Sequence, residues 1–199
     1  MTRLFVVRHG QSTWNADGRW QGHADPPLSP LGERQSEAAI AAAEGLAVAV
    51  VWTSPLARAS RTAEIIASGL GLPVRTEERL RERDAGEWTG LTRVEIEERW
   101  PGFLLDGRRP PGFEPDEALR GRGLAAIDGI AAEAGDATVL VVGHGGLIRV
   151  VERHLDGEAP PLPNLGGRWV TAEGSVLSLG ERVLLVDPGD VTVTVPGQI

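Results

Sequence analysis

The chain sets a permanent cation, an imidazole and a glycine, Arg8-His9-Gly10, at the end of the apolar run Leu4-Phe5-Val6-Val7. Adjacent Arg and His repel one another once the His is charged, and both resist burial. A strand that only had to stop could use Gly, Asn or Asp. The triplet therefore calls for an anion. Two further apolar runs end in related chemistry. Residues 48–52 lead into TSPLARASRTA, with Arg58 and Arg61 in the opening turns of a helical pattern. Residues 138–142 lead into GHGGLIR, with His144 between glycines at a helix start. Guanidinium groups match phosphate oxygens in a fork. Helix N-termini add backbone donors, and glycines let the backbone approach closely. Two Arg, two His and helix N-termini around one crevice describe a site for a dianion. Phosphate fits best, with sulfate or carboxylate second.

Other chemistries lack their residues. The HGG stretch suits the oxyanion loop of an α/β-hydrolase, but no G-x-S-x-G occurs. Four His invite a metal, yet no H-x-x-x-H pairing or carboxylate cluster accompanies them, so no metal site is expected. His23 and His154 read as structural. All 20 basic residues are arginine. Without lysine there is no Walker phosphate loop, Schiff base or pyridoxal chemistry. Coding bias toward Arg, Ala and Gly explains that composition most simply. Without cysteine there are no disulfides, thiolate zinc sites or Cys nucleophile.

The elements that must position these residues follow from periodicity. Short Val- and Leu-rich runs at about 3–7, 48–52 and 138–142 suit strands buried on both faces. Helical patterns lie between them. One starts at Ser29 as N-cap with Pro30 in its first turn. Another carries Leu56, Ala59, Ala63, Ile66 and Leu70 on one face. A short helix runs from Thr92 to Trp100 and stops at Pro101. A longer one covers 115–134, with Leu124, Ile127, Ala131 and Ala134 inward, and a last one covers Gly145 to Leu155. Alternating strand and helix implies an α/β fold with a mostly parallel sheet. Ligands bind such a sheet beyond the carboxyl ends of its strands. In the tail, SVLSL, RVLLVD and VTVTV read as short strands of an antiparallel edge. The Pro- and Gly-rich loops 107–117 and 157–167 read as rim or lid segments.

The 199 residues, 41% hydrophobic, fit a single domain over 1–199. Aromatics are only 5%, so the core is aliphatic and no stacking platform for a base is evident. A net charge of -8 argues against nucleic-acid or anionic-membrane partners. The N-terminal apolar run is too short for a signal peptide, and the longest apolar run, Leu46 to Trp52, is too short to span a bilayer. A cytoplasmic location is expected, and a homodimer is left open.

At this point the residues resemble a known family. RHGQSTWN looks like the R-H-G-x-[ST]-x-x-N signature of the histidine phosphatase superfamily, which includes the cofactor-dependent phosphoglycerate mutases. The match continues, in order, through DPPLSPLG (25–32), TSPLARASRTA (53–63), LRERDAGEWTG (80–90) and GHGG (143–146), covering about residues 3–155. The resemblance implies a three-layer sandwich with a central, mostly parallel sheet flanked by helices. It implies that His9 is the nucleophile and that Arg8, Arg58 and His144 hold the phosphoryl oxygens. Asn15, Gln21, Gly22 and Gly145 would complete the substrate-binding set. Among the carboxylates around TEERLRERDAGE, the family pattern L-x-E-x-x-x-G selects Glu82 as general acid, then base. No cofactor is implied, because the arginines and His144 supply the countercharge. The substrate would be a small phosphomonoester.

The branch of the family is read from two departures. The chain is short between Trp100 and Glu114, where mutases carry an insertion, and GEWTG differs from the mutases' Y-G-x-x-x-G. Both favour a phosphatase over a phosphoglycerate mutase. Arg108 and Arg109 keep the mutase open, since paired Arg could grip a substrate carboxylate; otherwise they are an exposed turn before Pro110. A noncatalytic phosphate-binding or scaffold protein would have lost His9 or Glu82, and both are present. In the family's G-G-E-[ST] stretch, Glu114 aligns but Pro115 replaces the hydroxyl residue. The segment 163–175, PNLGGRWVTAEGS, has no assigned role.

Overall fold

The computed structural model describes residues 1–194. Its strands are β1 (Thr2–Arg8), β2 (Val50–Thr53), β3 (Val74–Thr76), β4 (Thr138–Gly143), β5 (Gly166–Glu173) and β6 (Val176–Leu184). Its helices are α1 (Thr13–Ala16), α2 (Pro30–Gly45), α3 (Ala57–Leu70), α4 (Arg93–Arg99), α5 (Phe103–Asp106), α6 (Asp116–Ala134) and α7 (Gly145–Asp156). All six strands form one sheet in the order β3-β2-β4-β1-β5-β6. The pairs among β1 to β4 are parallel, while β1–β5 and β5–β6 are antiparallel.

Alternation along the central strands builds two cores. Leu4 and Val6 of β1 and Val139 and Val141 of β4 join Ile127, Ile130, Leu147 and Val151 from α6 and α7. Phe5 and Val7, with Leu140 and Val142, join Ala39, Ala43, Ala63 and Ile66 from α2 and α3. Both faces are covered, which is why these strands read as unbroken apolar runs. This is the three-layer sandwich. Wholly buried Phe5 also meets Trp169, ring centroids 5.2 Å apart, so truncating it to Ala costs about 3–5 kcal/mol.

The helix starts agree with the sequence. Ser29 Oγ accepts the Gly32 N–H, and Pro30 sits in the first turn of α2. Thr92 and Glu95 form a capping box on α4. The C-terminal half differs from expectation. SVLSL and RVLLVD merge into the one strand β6. Val191–Thr194 is not a strand, and Val195 of VTVTV lies outside the described residues. Within 163–175, Gly and Pro flank a real strand: β5 pairs with β1 from Thr2↔Ala172 to Val7↔Gly167. Punctuation by Gly-Gly and Glu-Gly hid it, because the partner strand, not local propensity, supplies its order. The edge strand β3, three exposed residues, carries no apolar signal either. Among the described residues no helix is long and apolar enough to cross a membrane.

Candidate active site

Parallel register brings the three strand ends to one level. Arg8 pairs with Gly143 and Thr53 with Val142. The next residues are therefore His9, Ser54 and His144. His9 N–H donates to Gly143 O at 3.1 Å, and Ser54 N–H to Val142 O at 3.1 Å. The His9 and His144 rings lie edge to face, centroids 5.2 Å apart.

The protonation pattern of His9 follows from its neighbours. Its Nδ1 lies 2.6 Å from Gly10 O. A carbonyl only accepts, so Nδ1 carries the proton and Nε2 keeps its lone pair. Burial pushes the His9 pKa well below the ordinary value, and the Arg58 and Arg8 charges push it the same way. The ring is thus neutral and nucleophilic at neutral pH. His144 is likewise held well below its ordinary pKa, first by burial and then by Arg58. Its Nε2 sits 2.9 Å from Ser54 Oγ.

Two buried guanidinium groups flank the rings. Arg8 Nη1 donates to Leu162 O at 2.7 Å. Arg58 donates to Gly22 O at 3.0 Å and Ala24 O at 2.9 Å. Burial lowers each pKa only to about 10, so both remain cationic. Among the described residues, Arg8 Nε, Arg58 Nε and His144 Nδ1 have no hydrogen-bond partner. Trp20 Nε1, Trp88 Nε1 and Arg168 Nε are unpartnered as well; the guanidinium donors of Arg8, which ends β1, and Arg58, which follows β2, suit an anionic oxygen.

Glu82 reaches the same place from a loop. Its Oε2 accepts the Gly146 N–H at 3.0 Å, in the first turn of α7, and its Oε1 accepts Arg83 N–H at 2.8 Å. A Cβ at Gly146 would collide with this carboxylate, and one at Gly145 would press on the Arg8 guanidinium at 3.3 Å. The Gly-Gly pair is therefore what lets a cation and a carboxyl share one helix end. The Glu82 backbone is clamped by Arg122 of α6, which donates to the carbonyls of Arg79, Arg81 and Glu82 and forks onto Glu114. His23 Nε2 donates to the same Glu82 carbonyl at 2.8 Å.

The cleft above has a volume of about 310 Å³. Arg8, His9, Asn15, Gln21, Gly22, Glu82 and Arg109 line it, and so does Gly146. His144 and Arg58, both fully buried, are not among its lining residues. Asn15 Oδ1 is engaged by the Ser12 N–H, so its amide NH₂ is what it can offer a ligand. Gln21 accepts from Ser12 Oγ, and Gly22 holds Arg58 through its carbonyl. Arg108 does not line the cleft. It is paired with Asp106 at 2.6 Å and stacked on Phe103, while Arg109 lies over Trp88 and Phe113. The expected pair is thus split. In the loop 157–167, Leu162, Asn164 and Leu165 are buried, Asn164 Nδ2 donates to His9 O at 2.8 Å, and Ala159 O accepts from the cleft-lining Arg149 at 2.9 Å.

One wall runs against the composition. Of six Trp and three Phe in the chain, five gather in one cap cluster: Trp20, Trp88, Trp100, Phe103 and Phe113. Trp20, Trp88 and Phe113 contact one another at 5.1–6.2 Å and line the cleft. Scarcity in the count concealed concentration in space. Sequence reasoning also missed Ser54, Thr62, Arg122 and Asn164. Ser54 and Thr62 lie inside the quoted 53–63 stretch, where only the arginines stood out. Thr62 Oγ1 accepts the Gly10 N–H at 3.0 Å.

Comparison with known proteins agrees with this geometry. The family model of the histidine phosphatase superfamily (branch 1) matches residues 4–178. A glucosyl-3-phosphoglycerate phosphatase of Mycolicibacterium vanbaalenii is 35% identical over 93% of this chain and 90% of its own. A probable phosphoglycerate mutase GpmB of Cronobacter sakazakii is 42% identical over 64% of each chain. Among solved structures, Bacillus stearothermophilus YhfR superposes with a TM-score of 0.83 at 28% identity, covering 90% of this chain and 95% of that one. A mycobacterial glucosyl-3-phosphoglycerate phosphatase in complex with VO3 gives 0.81 at 29% identity, covering 89% and 96%. The chain belongs to the histidine phosphatase superfamily (branch 1).

Proposed function

We propose that this histidine phosphatase hydrolyses a small phosphomonoester through a phosphohistidine on His9, without a metal. The observation that carries the reading is the His9 ring: proton fixed on Nδ1 by Gly10 O, lone pair on Nε2, between two buried cations.

Nε2 attacks phosphorus as the bond to the leaving oxygen breaks. The Glu82 carboxyl group gives its proton to that oxygen. Arg8, Arg58 and His144 stabilise the charge spread over the phosphoryl oxygens, with Asn15 as a further donor. The Glu82 carboxylate then takes a proton from water. The water oxygen bonds to phosphorus, the N–P bond breaks, and phosphate leaves with His9 neutral again. Gln21 and Gly22 shape the wall beside Arg58, and Gly145 makes room for Arg8. Arg109 contacts the leaving group from the cap.

We place the reaction in the cytoplasm, on a phosphorylated metabolite. A mutase differs only in the acceptor, a second hydroxyl in place of water, and the GpmB relative favours keeping it in the test. The experiment is a screen of phosphomonoesters in EDTA, scoring phosphate release beside phosphoglycerate isomerisation. Release without isomerisation, with acid-labile phosphate on the protein, is expected. Full loss in EDTA restored by Mg²⁺ or Zn²⁺ overturns the proposal.

A further inference from the structure

Two peptide planes follow His9, and both are pinned from outside the loop. In the first, the His9 carbonyl accepts from Asn164 Nδ2 at 2.8 Å, and the Gly10 N–H donates to Thr62 Oγ1 at 3.0 Å. In the second, the Gly10 carbonyl holds His9 Nδ1 at 2.6 Å, and the Gln11 N–H donates to Gln35 Oε1 at 2.8 Å. The loop needs these pins. A Cβ at residue 10 would lie 2.7 Å from Gly32 O, so a side chain there would collide with α2. The glycine that avoids the collision leaves its own backbone soft. The carbonyl that fixes the His9 proton is therefore only as steady as the Gln11 N–H on the same peptide.

Gln35 and Asn164 are fully buried, one in α2 and the other ahead of β5. Each amide has two ends, and the far ends meet at the C-terminal segment. Gln35 Nε2 donates to Thr192 O at 2.7 Å and lies 3.4 Å from Thr194 Oγ1. Asn164 Oδ1 accepts from Thr194 Oγ1 at 2.7 Å, and the Asn164 N–H donates to Thr194 O at 2.8 Å. One hydroxyl thus donates to one amide and accepts from the other, which uses its single proton and a lone pair. Asn164 Nδ2 also lies 3.4 Å from Asn15 Oδ1 and helps turn that amide with its NH₂ outward. Val191 and Val193 pack on the core that holds Phe5 and Val7. That packing has no use for the Thr194 hydroxyl.

We propose that Thr194, acting through Gln35 and Asn164, is a positioning residue for the nucleophile: the C-terminal segment holds the Gly10 carbonyl against His9 Nδ1 and so keeps the Nε2 lone pair free for phosphorus. The catalytic consequence rests on the phosphohistidine reading above; the protonation pattern does not. A neutral imidazole has one N–H, and the hydrogen bond at one nitrogen decides the state of the other. When the Gly10 carbonyl swings away, the proton can settle on Nε2, and that form cannot attack. The fraction of competent His9 sets kcat, while KM is left to Arg8, Arg58 and the cleft wall.

The test uses the full-length protein with isotope-labelled histidine. Nitrogen NMR of the His9 ring, assigned by its loss in His9→Gln, reads the tautomer directly. Wild-type His9 should be in the Nδ1–H form. Thr194→Val keeps the backbone bond to Asn164 and the packing. It should lower the Nδ1–H fraction and cut kcat for an alkyl phosphate about 2- to 10-fold, the range for one neutral hydrogen bond, with KM within about twofold. Thr194→Ser should restore both. Gln35→Leu orphans the Gln11 N–H and should cost about 5- to 100-fold in kcat. Circular dichroism checks that the variants fold. A folded Thr194→Val protein with the wild-type tautomer overturns the relay, whether kcat is unchanged or lowered, since the segment would then only pack. Failure of Thr194→Ser to restore the tautomer overturns it too. A shifted tautomer with kcat intact supports the relay and counts instead against His9 as the nucleophile, so the two readings fail separately.

Discussion

The floor of the cleft and its cap wall are built on different principles. The floor hangs on β1, β2 and β4, whose register places Arg8 and Ser54 at one level and His9 and His144 one residue beyond. Each group there is buried and held by backbone carbonyls or hydroxyls. The cap is made of loops, the short helices α4 and α5, and an aromatic cluster. Its cations stack on rings or pair with exposed carboxylates. A site supported by rigid strands can hold atoms to the tolerance that phosphoryl transfer requires. A wall of loops and rings can vary to suit the leaving group. The chemistry should therefore be lost at the floor and only retuned at the cap.

The largest effect should come from the floor. His9→Ala should reduce turnover to background and abolish acid-labile phosphorylation; near wild-type turnover would refute the covalent route. His144→Ala should lower kcat by about 10²–10³, as for removal of one transition-state donor. Glu82→Gln should lower hydrolysis of alkyl phosphates by about 10²–10⁴. With p-nitrophenyl phosphate, whose leaving group needs no proton, it should give a burst of nitrophenol followed by slow turnover and accumulating phosphohistidine. Glu78→Gln and Glu87→Gln should show neither behaviour.

Arg122 tests the join between the regions. It touches no substrate position, yet fixes the carbonyls on both sides of the Glu82 loop. Lysine cannot reproduce the fork onto Glu114. Arg122→Lys should slow alkyl phosphates by about tenfold while sparing the nitrophenol burst, an effect on proton transfer. A uniform loss on both substrates would make Arg122 a folding residue only. In the cap, Arg109→Met should raise KM a few-fold and leave kcat unchanged, the pattern of uniform binding.

The same division governed what the sequence revealed. The floor was legible because buried strands end in residues that have no business in a core, and three strand ends repeat the theme. The start of α2 was legible through Ser29, whose side chain acts locally, while the capping role of Thr92 is visible only in the structure. Glu82 was not legible from its own neighbourhood, a run of charges; only the family pattern separated it. Its distinguishing contact, the Gly146 N–H, lies 64 residues away in sequence. Arg122, Asn164 and the strand β5 were hidden for the same reason: each acts through a distant partner. The aromatic cap was masked by a low overall count. Of the two arginines at 108–109, the spacing could not say which one faces the cleft, since that depends on whether Asp106 or the rings of Trp88 and Phe113 capture each.

The smallest expected effect is on stability, and it again separates floor from cap. His9 and His144 are fully buried with pKa values well below the ordinary 6.5. Above pH 6.5 the rings are neutral in both folded and unfolded chains, so they add no pH dependence. Below it the unfolded chain takes up protons that the folded chain refuses, and stability falls. Each ring contributes a slope of at most about 1.4 kcal/mol per pH unit until its folded pKa is reached. The carboxylates held low, such as Glu77, Glu95 and Glu114, act only as pH falls through the ordinary carboxyl range near 4.5. The window from pH 6.5 to 5 is therefore governed by the two rings. Urea unfolding across it should show stability dropping by up to about 2.7 kcal/mol per unit. His144→Asn should flatten that slope by about half, and Arg109→Met in the cap should leave it unchanged. An unaltered slope in His144→Asn would mean that the ring takes a proton in the folded state. The neutral, proton-donating floor would then have to be redrawn around a charged His144.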